Sequence, residues 1–357
     1  KADLHNWKKL PVDTCYFNKN FKTRLLNNLS LYVDLEKIVD GLVINSDNYH
    51  GLNLIKGKFT EKIKCCYIDP PYNTHRKFLY NDSFSHEEWN DLLFQRLEKC
   101  KKLMSNNSLI FVSIDDNELY SLKKIMDNVF GEKNFISNMI WKSKSGGAFD
   151  TKYLRNEIEY ILLYSKNINN IQLNKGKIDL KGYNLKDKHY NIRGKYKLNK
   201  LDRKGLGYLP SLDFPINLNG LIAIPGGDKN HLKKWRWRWN KEKVKWGIEN
   251  DFIVVKNNKN NIPQCYSKQY QNVNNEGEII ERKYPYSNII PENIRSSSGK
   301  KEIKEAIGDC DFLYPKPSSL IKHLLKIGSK EDSIILDFFA GTGTTLHAVL
   351  QLNKEDG

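Results

Sequence analysis

The stretch Tyr67-Ile68-Asp69-Pro70-Pro71-Tyr72-Asn73-Thr74 decides how the rest of the chain is read. It closes the apolar run Ile63-Lys64-Cys65-Cys66-Tyr67-Ile68, which predicts a short buried strand. Two consecutive prolines offer no N–H to a ladder, so the strand cannot continue through them. A carboxylate and an aromatic ring are thereby expected on a stiff turn at the carboxyl end of a strand, where open α/β sheets place their ligands. The residue types suit a planar base: Asp69 and the Pro70 carbonyl can accept hydrogen bonds from an exocyclic amine, and Tyr72 offers a face for stacking. Taken alone, the tetrapeptide fits equally well a strand end whose acid caps the next element.

A second segment breaks that tie. Ser333-Ile334-Ile335-Leu336-Asp337-Phe338-Phe339-Ala340-Gly341-Thr342-Gly343-Thr344-Thr345 reads as a strand, a glycine turn and a helix start. Gly341 and Gly343 allow a ligand to approach the backbone closely, and the opening turn of a helix presents N–H groups without helical partners. A lone Gly-x-Gly is weak, but Asp-x-Phe-x-Gly-x-Gly-Thr far downstream of Asp-Pro-Pro-Tyr is a specific combination.

Together the two motifs resemble those of the DNA amino-methyltransferases that use S-adenosylmethionine, in the permuted order called beta, with the target motif first and the cofactor motif last. The sequence is most similar to the modification subunit of type III restriction-modification systems. Further matches in the family's order are Phe78-Leu79-Tyr80-Asn81-Asp82-Ser83-Phe84, Phe111-Val112-Ser113-Ile114-Asp115-Asp116-Asn117-Glu118, Trp237-Arg238-Trp239-Asn240-Lys241-Glu242-Lys243 and Pro315-Lys316-Pro317-Ser318-Ser319-Leu320-Ile321. The resemblance implies an α/β fold: a Rossmann-like methyltransferase sheet with an inserted target-recognition domain. It implies methyl transfer to N6 of adenine, with Asp69, Pro70 and Tyr72 as catalytic residues. Asp337, Phe339, Gly341, Gly343 and Thr344 would hold S-adenosylmethionine, with Lys316 and Pro317 flanking its methionine end. Double-stranded DNA, a helicase-nuclease restriction subunit and a second copy of the chain are the implied partners. The family's cytosine-N4 members usually carry Ser at the position of Asp69, which favours adenine. The rival readings are a cytosine-N4 enzyme and a recognition subunit that has lost transfer.

Composition agrees with a polyanionic partner. Across 357 residues, 58 Lys+Arg against 42 Asp+Glu give a formal net charge of +16. A merely solvated, Lys- and Asn-rich surface would give the same balance. The length predicts two domains, or one with a large insertion. No run approaches about 18 consecutive apolar residues and no signal peptide is visible, which predicts a soluble cytoplasmic protein without a membrane partner. Cys15, Cys65, Cys66, Cys100, Cys265 and Cys310 lack metal-ligand spacing and are expected to be reduced thiols, with no metal site.

In order, residues 1–60 form a polar lead-in with a helix expected near Leu31 to Asp40. Residues 61–166 alternate strand and helix: a helix from about His86 to Met104, a strand Ser108 to Ile114, and strands Phe135 to Lys142 and Glu159 to Ser165. Asp115 and Asp116 either face the target pocket or, as the pattern favours, cap the helix that begins near Glu118. The loop Ser143 to Phe149 is expected near nucleic acid. The alternation stops over 167–300, the expected recognition insertion. There Lys175 to Lys204, with Arg193 and Lys195, interleaves basic residues with Tyr183, Tyr190 and Tyr196, which suits phosphates and bases. Trp235-Arg236-Trp237-Arg238-Trp239 as a strand would put three indoles in a core and direct Arg236 and Arg238 to DNA. Residues 301–357 supply the cofactor half: helices from Lys301 to Ile307, from Ser318 to Ile327 behind a serine cap, and from Thr345 to Leu352. The family's further strands, the first ending in the ribose-binding acid, do not follow before Gly357. A longer natural protein, starting before Lys1, is therefore expected, with an apolar sheet edge where those strands would pair.

Overall fold

The computed structural model describes residues 17–34, 41–75, 81–144, 146, 153–177, 180–227, 233–308, 312 and 314–356. The chain divides into two compact units, residues 1–174 with 287–357, and residues 175–286. The first unit opens with α1 (Lys19–Ser30) and α2 (Asn48–Phe59), then β1 (Ile63–Ile68), α3 (His86–Leu103), β2 (Met104–Ile114), α4 (Leu119–Phe130), β3 (Phe135–Trp141) and β4 (Glu159–Ser165). The second unit carries β5 (Lys175–Lys177), the short α5 (Tyr190–Arg193), β6 (Tyr196–Lys200), β7 (Asp202–Lys204), β8 (Ile216–Leu218), β9 (Leu221–Ala223), β10 (Trp235–Trp237), α6 (Lys241–Glu249), β11 (Ile253–Asn257), β12 (Pro263–Tyr270) and β13 (Lys283–Pro285). The chain then returns to the first unit with α7 (Ser297–Ile307), α8 (Ser318–Gly328), β14 (Ile334–Leu336) and α9 (Thr344–Asp356).

The first unit is built on a five-stranded sheet of order β14-β1-β2-β4-β3. β14, β1 and β2 are parallel, and β4 runs antiparallel between β2 and β3. Alternation along the central strands feeds two apolar layers. Cys66, Ile68, Ile110 and Val112 join the core formed with Trp89, Leu93 and Leu97 of α3 and Leu122 and Met126 of α4. On the other face α8 lies so close that a side-chain carbon on Gly328 would meet Leu109, Phe111 and Cys65 within 3.0–3.3 Å. Because β1 and β2 are buried on both faces over residues 65–68 and 109–114, those segments read as largely apolar runs, as parallel strands between helices do. This helix–sheet–helix arrangement is the Rossmann-like class expected from the motifs. β14 is an edge strand among the described residues, and Ile334 on it is 39% exposed.

Some local expectations are corrected. The described N-terminal helix is Lys19–Ser30, capped by the Asn18 side chain accepting from the Phe21 N–H, and Leu31 ends it; residues 35–40 lie outside the described residues. Asp115 does not cap α4: it turns back on the Asn117 N–H and side-chain amide, while Asp116 accepts from Asn156, and Glu118 at the N-cap makes no side-chain cap bond. At α8 the N-cap is Pro317, and the Ser318 N–H is taken instead by the Glu302 carboxylate of α7. Most of the Ser143–Phe149 loop lies outside the described residues.

The second unit has a three-stranded antiparallel sheet, β11-β12-β6, and three two-stranded ribbons, β10-β7, β13-β5 and β8-β9. One core gathers Leu201, Ile216, Trp237, Val244, Ile253 and Cys265. The strand through the tryptophan repeat covers only Trp235–Trp237; Trp237 is fully buried and donates its indole N–H to the Phe214 carbonyl at 2.7 Å, while Trp235 and Trp239 are half-buried.

Candidate active site

β1 ends at Ile68, and Asp69 to Asn73 leave the sheet as a braced turn. Trp89 of α3 donates its indole N–H to the Pro71 carbonyl at 2.8 Å. That helix is itself held at its start by a capping box, Ser85 and Glu88 exchanging bonds with each other's backbone. Asn73 adopts a left-handed φ of 56°, a conformation Asn tolerates better than most residues. Its buried amide is pinned on both sides, accepting from the Phe84 N–H at 2.8 Å and donating to Glu118 at 2.8 Å. Asp82 then clamps the turn by accepting from the Asn73 and Thr74 N–H groups, at 3.0 and 2.9 Å, and from the Thr74 hydroxyl.

Three ionisable side chains meet beside this turn. Lys316 Nζ stands 2.9 Å from Asp69 Oδ1 and 3.3 Å from Glu159 Oε2, and 4.7 Å from the centre of the Tyr72 ring. The Tyr72 hydroxyl donates to Glu159 Oε2 at 3.0 Å. Lys316 and Glu159 side chains are each only 13% exposed. Burial disfavours the Lys316 charge, but two carboxylates outweigh it and hold the ammonium protonated. Burial also pushes Glu159 up, and the ammonium together with hydroxyl donors more than reverses this, so Glu159 is ionised. Burial raises Asp69, which Lys316 opposes without cancelling. Burial, then Asp69 and Glu159, keep the Tyr72 phenol protonated and therefore a donor. The buried Asp69 Oδ1 is faced by the Lys316 ammonium at 2.9 Å, a charge-assisted contact. A buried carboxylate held this way is an acceptor for which a ligand's N–H can compete.

The second motif arrives at the same end of the sheet. β14 pairs with β1 so that Leu336 lies opposite Cys66, which puts Asp337 at the carboxyl end beside the strand that carries Asp69. Asp337 accepts from the Phe339 N–H at 2.9 Å and from the Thr345 hydroxyl at 2.6 Å, tying the start of the glycine turn to α9. Burial pushes its carboxyl up to about 6. Gly341 and Gly343 have φ of 52° and 77°, and a side-chain carbon on Gly343 would meet nothing within 4 Å, so the turn presents open backbone at the start of a helix. Thr344 opens that helix, its hydroxyl 3.1 Å from that of Thr342. Phe339 and Tyr72 both pack against the one core beneath them. The lead-in is part of this construction: Asn48 of α2 donates to the Phe338 carbonyl at 3.0 Å and accepts from Arg96 of α3.

Of the residues expected to meet nucleic acid, Arg193 is engaged within its unit: it donates to the Asn250 carbonyl at 2.8 Å and lies over the Phe252 and Tyr270 rings. Arg238 is exposed and donates to the Lys200 carbonyl at 2.7 Å. Lys195 is half-buried. Arg236 is half-buried on the β10-β7 ribbon directly opposite Arg203, and its buried Nε finds no acceptor among the described residues. Like charges facing each other across a ribbon are unfavourable without an anion between them.

Sequence reading did not single out Glu159, Trp89, Asn48 or Arg203. Glu159 opens a strand whose apolar run hides it, and Trp89 looks like one more core residue of an amphipathic helix. Asp82 and Glu118, inside stretches that resemble the family, carried a signal of their own.

With this geometry in hand, comparison with known proteins is specific. The DNA methylase family model matches residues 63–355. The chain is 30% identical to the type III restriction-modification enzyme StyLTI Mod subunit of Salmonella typhimurium, over 88% of this chain and 50% of that protein. It is also 30% identical to the type II methyltransferase M.KpnI of Klebsiella pneumoniae, over 95% of this chain and 82% of that protein. Among solved structures, PvuII DNA methyltransferase (cytosine-N4-specific) aligns over 84% of this chain and 76% of that one, at 11% identity and a TM-score of 0.41. The chain spans about half the length of the first Mod subunits it matches, 50% and 55%. A family match running from the strand before Asp69 to the helix after the glycine turn, joined to the near end-to-end likeness with M.KpnI, means that the chain belongs to the DNA methylase family.

Proposed function

We propose that this protein is a site-specific DNA methyltransferase that methylates the exocyclic N6 of adenine, and that it serves as the modification subunit of a type III restriction-modification system. The observation that carries the reading is the Asp69 carboxylate at the carboxyl end of β1, set with the Tyr72 ring around the Lys316 ammonium, 2.9 Å from Oδ1 and 4.7 Å from the ring centre. An exocyclic amine fits there as donor: Asp69 and the Pro70 carbonyl take its two hydrogens, which directs the nitrogen lone pair out of the ring plane, and Tyr72 stacks on the base. The amine is unreachable inside a duplex, so the base enters swung out of the helix at a cost of about a few kcal/mol, part of which stacking returns.

S-adenosylmethionine, when bound, supplies the methyl group on a sulfonium that is already an excellent leaving group. The chain's task is alignment rather than strong base catalysis. The left-handed turn through Gly341 and Gly343, open at Gly343, the N–H groups of the opening turn of α9, and Asp337 and Phe339 fit that cofactor. Lys316, held by Asp69 and Glu159, and Pro317, at the start of α8, are proposed to flank the methionine end of that cofactor.

Duplex DNA is the substrate in this reading, supported by the net charge of +16, and the Arg203–Arg236 ribbon and Arg238 are its proposed contacts. A helicase-nuclease restriction subunit and a second copy of the chain are the proposed partners, tested by co-purification and sedimentation. The deciding experiment is to incubate the protein with unmethylated DNA and methyl-labelled S-adenosylmethionine and to identify the product nucleoside by mass spectrometry. N6-methyladenine is expected, with Asp69→Ala binding cofactor but transferring nothing. N4-methylcytosine, or transfer by Asp69→Ala at the normal rate, overturns the reading.

A further inference from the structure

The Lys316 ammonium occupies the place where a target amine has to arrive. It stands on the acceptor oxygen of Asp69 and over the face of Tyr72, and it is a charged donor where the amine of a base is neutral. Charge-assisted contacts are about twice as strong as neutral ones, so an ammonium left alone with Asp69 would keep the base out. It is not alone. Glu159, the first residue of β4, offers the same ammonium a second carboxylate at 3.3 Å, and the single oxygen that does so also receives the Tyr72 hydroxyl. One cation is thus shared between two anions, Asp69 on the turn after β1 and Glu159 on β4.

Building on the reading of Asp69 as the amine acceptor, we propose that Glu159 is a positioning residue that draws Lys316 off Asp69 when the base enters and fixes the Tyr72 ring through its hydroxyl. The exchange is nearly balanced by construction. Lys316 gives up one carboxylate and keeps the other, so the ammonium is never left buried without a counter-charge, which would be far more costly. Asp69 in turn trades the ammonium for the N–H donor of the amine. Remove the charge of Glu159 and the exchange fails: Lys316 closes on Asp69, and the amine must break the only ion pair in the site.

Glu159→Gln tests this because it preserves the side-chain volume and an oxygen that can accept from Tyr72. Turnover on DNA is expected to fall about tenfold or more, about 1.4 kcal/mol, while cofactor affinity and DNA affinity stay at wild-type values. In the same background Lys316→Met is expected to recover part of the loss, and more of it as the pH is raised, since the competitor for Asp69 is gone but so is the cation that opposes its burial-raised carboxyl. Wild-type turnover in Glu159→Gln overturns the role of the charge. A loss that Lys316→Met leaves in place overturns action through Lys316. If the unaltered protein fails to methylate adenine at all, the reading of the acceptor fails, and the two failures are told apart by that control.

Discussion

The indole N–H of Trp89 donates to the Pro71 carbonyl across 2.8 Å, so a fully buried residue of α3 grips the turn that carries Asp69 and Tyr72. Trp89→Phe keeps an aromatic ring in the core but leaves that carbonyl without a donor. A loss of about 1–3 kcal/mol in urea unfolding is expected, together with a fall in turnover larger than any change in cofactor affinity. Equal effects on both, or none on turnover, would show that the turn holds its shape without this bond.

Gly299 sits where α7 crosses the backbone that presents Lys316. A side-chain carbon there would stand 2.3 Å from the Pro315 carbonyl oxygen and 3.0 Å from the Lys316 carbonyl. Helix propensity alone favours alanine by about 1 kcal/mol, so the sign of the effect discriminates. Gly299→Ala is expected to be destabilising by about 1–3 kcal/mol and to lower activity by displacing Lys316. A rise in the unfolding midpoint would mean that α7 can shift freely.

Asp337 gives a pH signature. Burial pushes its carboxyl up to about 6 from 3.8, and its bonds from Thr345 and Phe339 only partly oppose this. A carboxyl raised on folding holds its proton more tightly in the folded state. Its contribution is therefore complete below about pH 4 and is lost as the pH rises through about 6. Asp337→Asn should remove this dependence, so the stability of the unaltered protein relative to the variant should decline across that window in urea titrations. A constant difference would place the titration elsewhere.

The Arg203–Arg236 pair predicts a salt effect. If both guanidiniums contact DNA phosphates, each substitution by alanine weakens binding and flattens the slope of log affinity against log salt by about one unit, whatever the sequence of the DNA. An unchanged slope would assign this ribbon face to something other than phosphate.

The two halves of the candidate site were legible in the amino-acid sequence because each is a local device. Prolines end β1 at Asp69, and glycines open the turn after β14, each acting within a few residues through fixed or freed backbone angles. The central sheet strands were legible for a related reason, since burial on both faces leaves the largely apolar segments 65–68 and 109–114. The second unit was less so, because its short ribbons bury only alternate residues and the tryptophan repeat forms just three residues of strand. What only the tertiary structure decided is which charges share a site: Glu159 with Lys316, Asn48 with the carbonyl of Phe338, Arg203 with Arg236. Those partners lie far apart in the chain and carry no pattern of their own, because an ion pair or a single hydrogen bond is set by where the folded backbone delivers two groups, not by the neighbours of either.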